Sequence, residues 1–497
     1  MGLDGSRVEG SEACRHKSEE NVKRYEQLAG QIEELIRLGQ LRAGARLPSV
    51  RIACRLYAAS RATVFRAYYK LESQGLIVAQ ARSGYFVSDA IRPEREIVQY
   101  EPVATERTQP PVNVDNLVFH MLGSLKHSYV AELGSQSPSP ELFPVARMGR
   151  AVAAASRSMT FTDSMAGLPP GDEGLRQQIA LRYLIRGMVV PVNEIIITSG
   201  AIDALTHSLQ ILTRAGDVVA VGSPVFYGVS RAVERLQLKV VEIPIDPDDG
   251  LDLDALADAL ERHPVRACWF MTSFQNPTGV TMSDAKKEAL VDLLAMHDVP
   301  LIEDDVYSDL HFGTVPPRPA KFFDRQGLVL HCGSFSESLA PGHRVGWIAA
   351  GRFAQQVERV TWMAPISANV ATQRAIANYL EGGGYERFLR GLRKELQALQ
   401  GHMLRAITRY FPSQTQLVRP TGGYFLWLEL PPQVNSVRLF EEALAQSISV
   451  APGPVFSTKG EFQGHIRLNY GHPWSQKIEA ALATLGDLAG AGGALPR

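Results

Sequence analysis

Between residues 194 and 336 five short β-rich runs recur: EIIITSG, VVAVGSP, ACWFMTS, VPLIEDD and LVLHCGSFS. Helical patterning separates them, and each ends in small or polar residues. This alternation predicts a mostly parallel α/β sheet covered by helices, with a site built by the loops at the carboxyl ends of the strands. The large α/β domain is expected over 116–384. Helices and strands such as GGYFLWLEL and HIRLNY then predict a smaller α+β subdomain over 385–490.

At 497 residues the chain is too long for one ordinary core. A hydrophobic fraction of 45% and a charged fraction of 21% belong to the soluble globular class. There is no apolar run long enough to span a membrane and no signal-peptide pattern, so a cytoplasmic protein without a membrane partner is expected. Residues 1–20, MGLDGSRVEGSEACRHKSEE, are polar and expected to fray. Cys14, Cys54, Cys268 and Cys332 lie far apart without metal-ligand spacing, so reduced thiols and no metal site are expected. The net charge of −1 hides an asymmetry, because residues 21–88 carry +7 and the rest −8. A small basic block on a mildly acidic body points to a nucleic-acid module joined to something else.

Within that block, Leu28, Ile32, Leu35 and Ile36 share one face of a helix. Ser49 is placed to cap a short helix running to Leu56, and Ser60 to cap a second. In the second, Val64, Ala67, Tyr68 and Leu71 form the buried stripe, leaving Arg61, Thr63, Arg66 and Lys70 mostly off it and free to meet a duplex. Gly75 is placed to end that helix. The runs LIVAQ and YFVS flank Arg82-Ser83-Gly84 as a hairpin. Helix, helix, recognition helix and β-wing make a winged helix-turn-helix over 21–88, a module that grips phosphates and reads bases in double-stranded DNA. Residues 89–115 have no apolar period and several prolines, and read as a tether between domains.

The loops of the large domain carry the chemistry. TSGAIDAL puts Gly200, Ala201 and Ile202 at a helix start, where backbone N–H groups can hold a phosphate. In SFQNPTG, the Asn276 amide can bond a phenolic oxygen. In IEDDVYSDL, Asp304 sits at a strand end, where a carboxylate can hold a protonated pyridine nitrogen. Three residues on, Tyr307 offers its phenol to a neighbouring oxygen. In SFSESLAPGHRVGW, Ser334, Ser336 and Arg344 offer hydroxyls and a guanidinium to a phosphate dianion.

The basic block, with LPSVR, SRATVFRAYYKLESQGL and RSGYFV, closely resembles the GntR family. That resemblance implies Arg51, Ser60, Arg61, Thr63, Arg66 and Gly84 as DNA contacts. The loop set, in this chain order, resembles the fold-type-I pyridoxal 5'-phosphate (PLP) enzymes, the class I and II aminotransferases. Together they resemble the MocR subfamily of bacterial transcription regulators, over about residues 22–487. The resemblance implies Asp304 on the pyridine nitrogen, Asn276 and Tyr307 on the ring hydroxyl oxygen, and Phe226 stacked on the cofactor face. It places Gly200, Ala201, Ser334, Ser336 and Arg344 in the phosphate cup and Arg467 on a substrate α-carboxylate. It further implies a homodimer with sites at the subunit interface.

One residue departs from this pattern. Where the family has SFSK, this chain has SFSE, and Glu337 stands at the lysine that forms the Schiff base and shuttles the α-proton. A carboxylate does neither. No other lysine has a sequence reason to replace it: Lys286 and Lys287 read as a helix surface, and Lys321 lies in a loop before the strand leading to Ser334. The pocket then has three readings. It binds PLP or pyridoxamine 5'-phosphate non-covalently, it is retired and only dimerises the heads, or Glu337 is a recent or introduced change in an ordinary PLP-dependent regulator. The expected function is a DNA-binding transcription regulator sensing a B6 vitamer or an amino-acid-like effector. The rivals are an active aminotransferase with a DNA-binding appendage and a ligand-free dimerising scaffold.

Overall fold

The computed structural model describes residues 24–37, 41, 44–80, 84–88, 114–124, 131–165, 168–363 and 369–491. The expected frayed N-terminus, the wing-turn residues Arg82 and Ser83, and the tether up to residue 113 lie outside them. From Val114 the chain is helical, so the last two residues assigned to the tether belong to a helix, Val114–Ser124. The chain divides into two units, Met1–Thr108 and Gln109–Arg497.

The first unit holds α1 (Arg24–Arg37), α2 (Val50–Leu56), α3 (Arg61–Ser73) and the antiparallel pair β1 (Ile77–Gln80) and β2 (Gly84–Val87). Ser49 Oγ accepts from Ile52 N and Ser60 Oγ from Thr63 N, so both helices begin where their serine caps satisfy an orphan N–H. α3 ends before Gly75, whose φ of +73° suits glycine. Leu28, Ile32, Ile36, Val64, Ala67, Tyr68 and Leu71 close one small core, and the Tyr68 hydroxyl donates to Pro48 O at 2.8 Å.

The second unit is built on a sheet in the order β4-β11-β10-β9-β8-β5-β6-β7, comprising β4 (Ile195–Thr198), β5 (Val218–Ser223), β6 (Lys239–Asp246), β7 (Gly250–Leu251), β8 (Val265–Phe270), β9 (Leu301–Asp304), β10 (Val329–Ser334) and β11 (Gly346–Ala349). The run β6-β5-β8-β9-β10 is parallel, and β11 lies antiparallel between β10 and β4. Val219, Ile302 and Leu330 enter the core on one face, and Ala220, Leu301 and Val329 the core on the other. Burial on both faces is why these strands read as continuous apolar runs.

A four-stranded sheet near the C-terminus is made by β12 (Gln416–Leu417), β13 (Phe425–Glu429), β15 (Ala451–Pro452) and β16 (His465–Asn469). β3 (Ala131–Glu132) pairs in parallel with β14 (Ile448–Ser449), and Asn469 Nδ2 donates to the Ser135 and Ser137 carbonyls. The segment after residue 130 thus packs with the C-terminal subdomain, although it precedes the large sheet in the chain.

Candidate functional site

On the first unit, Arg51, Ser60, Arg61, Arg66 and Gly84 are exposed, and Thr63 is half-buried. The Ser60 hydroxyl is engaged in its own helix, with Thr63 N at 3.1 Å and Thr63 Oγ1 at 2.9 Å. Ser60 and Thr63 therefore shape the start of α3, while Arg61 and Arg66 stand free of the buried stripe. Gly84 has φ +109°, a left-handed conformation glycine adopts without strain, and lies beside the Arg46 side chain.

On the second unit, the carboxyl ends of the parallel strands open on a recess. Eight of the expected residues line it: Ala201, Ile202, Phe226, Asn276, Asp304, Tyr307, Glu337 and Arg344. Its anion end is built at the helix Ala201–Leu212, which no side chain caps. Gly200 precedes it at φ +98°, and a Cβ there would come within 2.7 Å of Arg344 Nη2. Arg344 itself is held at φ +51° and donates to Ser336 Oγ at 3.4 Å. Uncapped N–H groups, a guanidinium and a hydroxyl suit a phosphate dianion. Ser334 lies beneath, accepting from Ser336 N at 2.9 Å, and lines a neighbouring cavity instead.

The other end of the recess is acidic. Asp304 Oδ1 and Glu337 Oε2 are both buried without a hydrogen-bond partner among the described residues. Burial, reinforced by the nearby charges of Glu337 and Asp305, pushes the Asp304 carboxyl up to about 8. Burial also raises Glu337, and the Ser334 hydrogen bond and Arg344 offset this only in part. Two buried acids that share a site resist double ionisation, so the arrangement favours a ligand bringing two N–H donors or positive charges. Asn276 links this end to β16, donating to the Tyr307 hydroxyl at 3.5 Å and accepting from Arg467 Nη1 at 3.0 Å.

Arg467 is fully buried and does not line the recess. It lies between the rings of Phe425 and Phe456, 4.1 and 5.0 Å from their centroids, and Nη2 donates to the Gly134 and Ser135 carbonyls. The three lysines weighed as substitutes are engaged elsewhere. Lys286 pairs with Asp249, and Lys321 donates to Val329 O. Lys287, expected on a helix surface, is instead buried, because its ammonium satisfies Ser273 Oγ and Arg318 O, both at 2.7 Å.

Residues 24–87 match the family model for bacterial regulatory proteins of the gntR family, and residues 145–485 that for aminotransferase class I and II. Over 467 residues the chain is 42% identical to YdcR of Escherichia coli K12, named an HTH-type transcriptional regulator, covering 94% of this chain and 99% of that one. This chain belongs to the MocR subfamily of GntR-type transcription regulators. The MocR body also superposes on solved aminotransferases at 25% identity and a TM-score of 0.70. One is a multiple substrate aminotransferase from Thermococcus profundus (78% of this chain, 96% of that chain), the other a kynurenine aminotransferase from Pyrococcus horikoshii in complex with PMP (76% and 95%).

Two features of this MocR body escaped sequence reasoning. Gln136 lines the recess from outside any motif, and Met271 lines it from within the strand run ACWFMTS. A buried chain runs from Trp347 Nε1 to the Tyr183 hydroxyl at 2.9 Å, to His331 Nδ1 at 2.7 Å, and from His331 Nε2 to Asp305 Oδ2 at 3.0 Å. It ties the residue after Asp304 to β10 and β11. The adjacent aspartates of IEDDVY were its only signal.

Proposed function

We propose that this regulator works in the cytoplasm as a homodimer whose aminotransferase-like body binds a B6 vitamer without a covalent bond and does not transfer amino groups. Glu337 occupies the place where the aminotransferase pattern carries its lysine. The observation that carries the reading is the pair of unpartnered buried acid oxygens, Asp304 Oδ1 and Glu337 Oε2, in a recess whose other end suits a dianion.

Pyridoxamine 5'-phosphate fits this set better than the aldehyde form. Gly200, Ala201, Ser336 and Arg344 would hold its phosphate, Phe226 its ring face, and Asn276 and Tyr307 its ring oxygen. Asp304 would take the ring nitrogen and Glu337 the ammonium. In enzymes this cofactor supplies an electron sink for amino-group transfer. Here the chain's own residues bind and orient the ligand, and the buried Arg467 guanidinium holds the Asn276 side chain in place. Self-association is supported by Leu184, Ile185 and Val189, which are 57%, 77% and 84% exposed around one helix end. Two protomers would bring two α3 helices to paired half-sites of an operator, and ligand binding would change operator affinity.

Calorimetric titration of the full chain with pyridoxamine 5'-phosphate and with PLP tests the reading. Tighter binding of the amine form is expected. Equal affinities, or a preference for the aldehyde, contradict it.

A further inference from the structure

Phe65 and Tyr69 lie one helical turn apart on α3 and stack on each other, with ring centroids 6.1 Å apart, yet they remain 40% and 59% exposed. The buried stripe of Val64, Ala67, Tyr68 and Leu71 faces the core of the head. At 100° per residue, Ala62, Phe65, Arg66 and Tyr69 occupy the opposite side, and all four are exposed. The rings therefore sit on the outward face, Phe65 toward its flank, with Arg66 on the same face and Arg61 at the helix start.

Such a face is poorly matched to another protein's apolar surface, because the cations around the rings would be stripped of water. It matches a DNA major groove, whose walls are phosphates and whose one apolar marker is the C5-methyl group of thymine. We infer that Phe65 and Tyr69 read thymine methyl groups, so that bases facing this side of α3 are specified by apolar contact. The inference rests on the DNA-binding reading of the head and adds what the head recognises.

The test begins by enriching duplexes from a random pool with the full chain. Each thymine of the enriched site is then replaced by deoxyuridine, which removes the methyl and nothing else. At one or more thymines the wild-type chain should lose about fourfold in affinity, the worth of one buried methyl. Phe65→Ala or Tyr69→Ala should bind the thymine duplex more weakly and be indifferent to that replacement. Indifference of the wild type at every thymine overturns the inference, as does a methyl effect that survives in both variants. Variants that bind DNA normally but change the oligomeric state overturn it too, in favour of a protein-facing pair. No enrichment by the wild type defeats the DNA-binding reading itself, a result distinct from the others.

Discussion

Asp304 Oδ1 and Glu337 Oε2 are buried without a hydrogen-bond partner among the described residues, and this burial has a consequence for stability. An unfolded aspartate ionises near pH 4, whereas folded Asp304 holds its proton up to about 8. Its folded pKa is raised, so its contribution to stability is complete below pH 4 and is lost as pH rises toward 8. Asp304→Asn cannot ionise. In urea denaturation it should therefore match the wild type near pH 4 and exceed it at pH 8 by on the order of a few kcal/mol. A variant less stable at both pH values contradicts this account. At this scale the site was largely legible: Asp304, Asn276, Tyr307, Phe226, Ala201, Arg344 and Glu337 converge on one recess, because each belongs to a short motif at a strand end. Gln136 and Met271 were not, because nothing local distinguishes a lining residue from a core residue.

The recognition helix α3 owes its start to one side chain and its use to others. Ser60 satisfies Thr63 N, so Ser60→Ala should cost the head about 1 kcal/mol in thermal or chemical unfolding. Arg66→Ala leaves the fold intact and should weaken operator binding by about 1–3 kcal/mol if Arg66 reads a base. A weakening that is uniform across sequences, with a shallower salt dependence, would reassign Arg66 to a phosphate. Caps, stripes and strand runs were legible because their signals lie within a turn or two of chain. The parallel pairing of β3 with β14 was not, since it joins Ala131 to Ile448 and leaves no local trace. Nor was the burial of Lys287, whose partners Ser273 and Arg318 lie on separate loops.

Across the second unit, Asp309 is the hub that holds the loop of Glu337 in place. Arg182 reaches its carboxylate at 2.7 Å, Arg186 also binds it, and the Tyr385 hydroxyl donates to it at 2.7 Å. Tyr385 in turn meets Ser338, the neighbour of Glu337, at 2.6 Å. The arginines hold the Asp309 carboxyl well below the usual carboxylate range although burial opposes them. Its stabilisation is present above about pH 4 and is lost as pH falls. Asp309→Asn leaves the half-buried Arg186 guanidinium without its counter-charge and Arg182 with Glu386 alone, and should cost about 3 kcal/mol at neutral pH in chemical denaturation. A loss below about 1 kcal/mol would show the cluster to be solvent-screened. The most direct test of the central claim is a titration of the full chain with PLP, followed by absorbance, then borohydride treatment and intact mass. Saturable binding with no mass increase is the result predicted for a non-covalent sensor carrying Glu337. A mass increase of one reduced cofactor, or no binding at all, would contradict it.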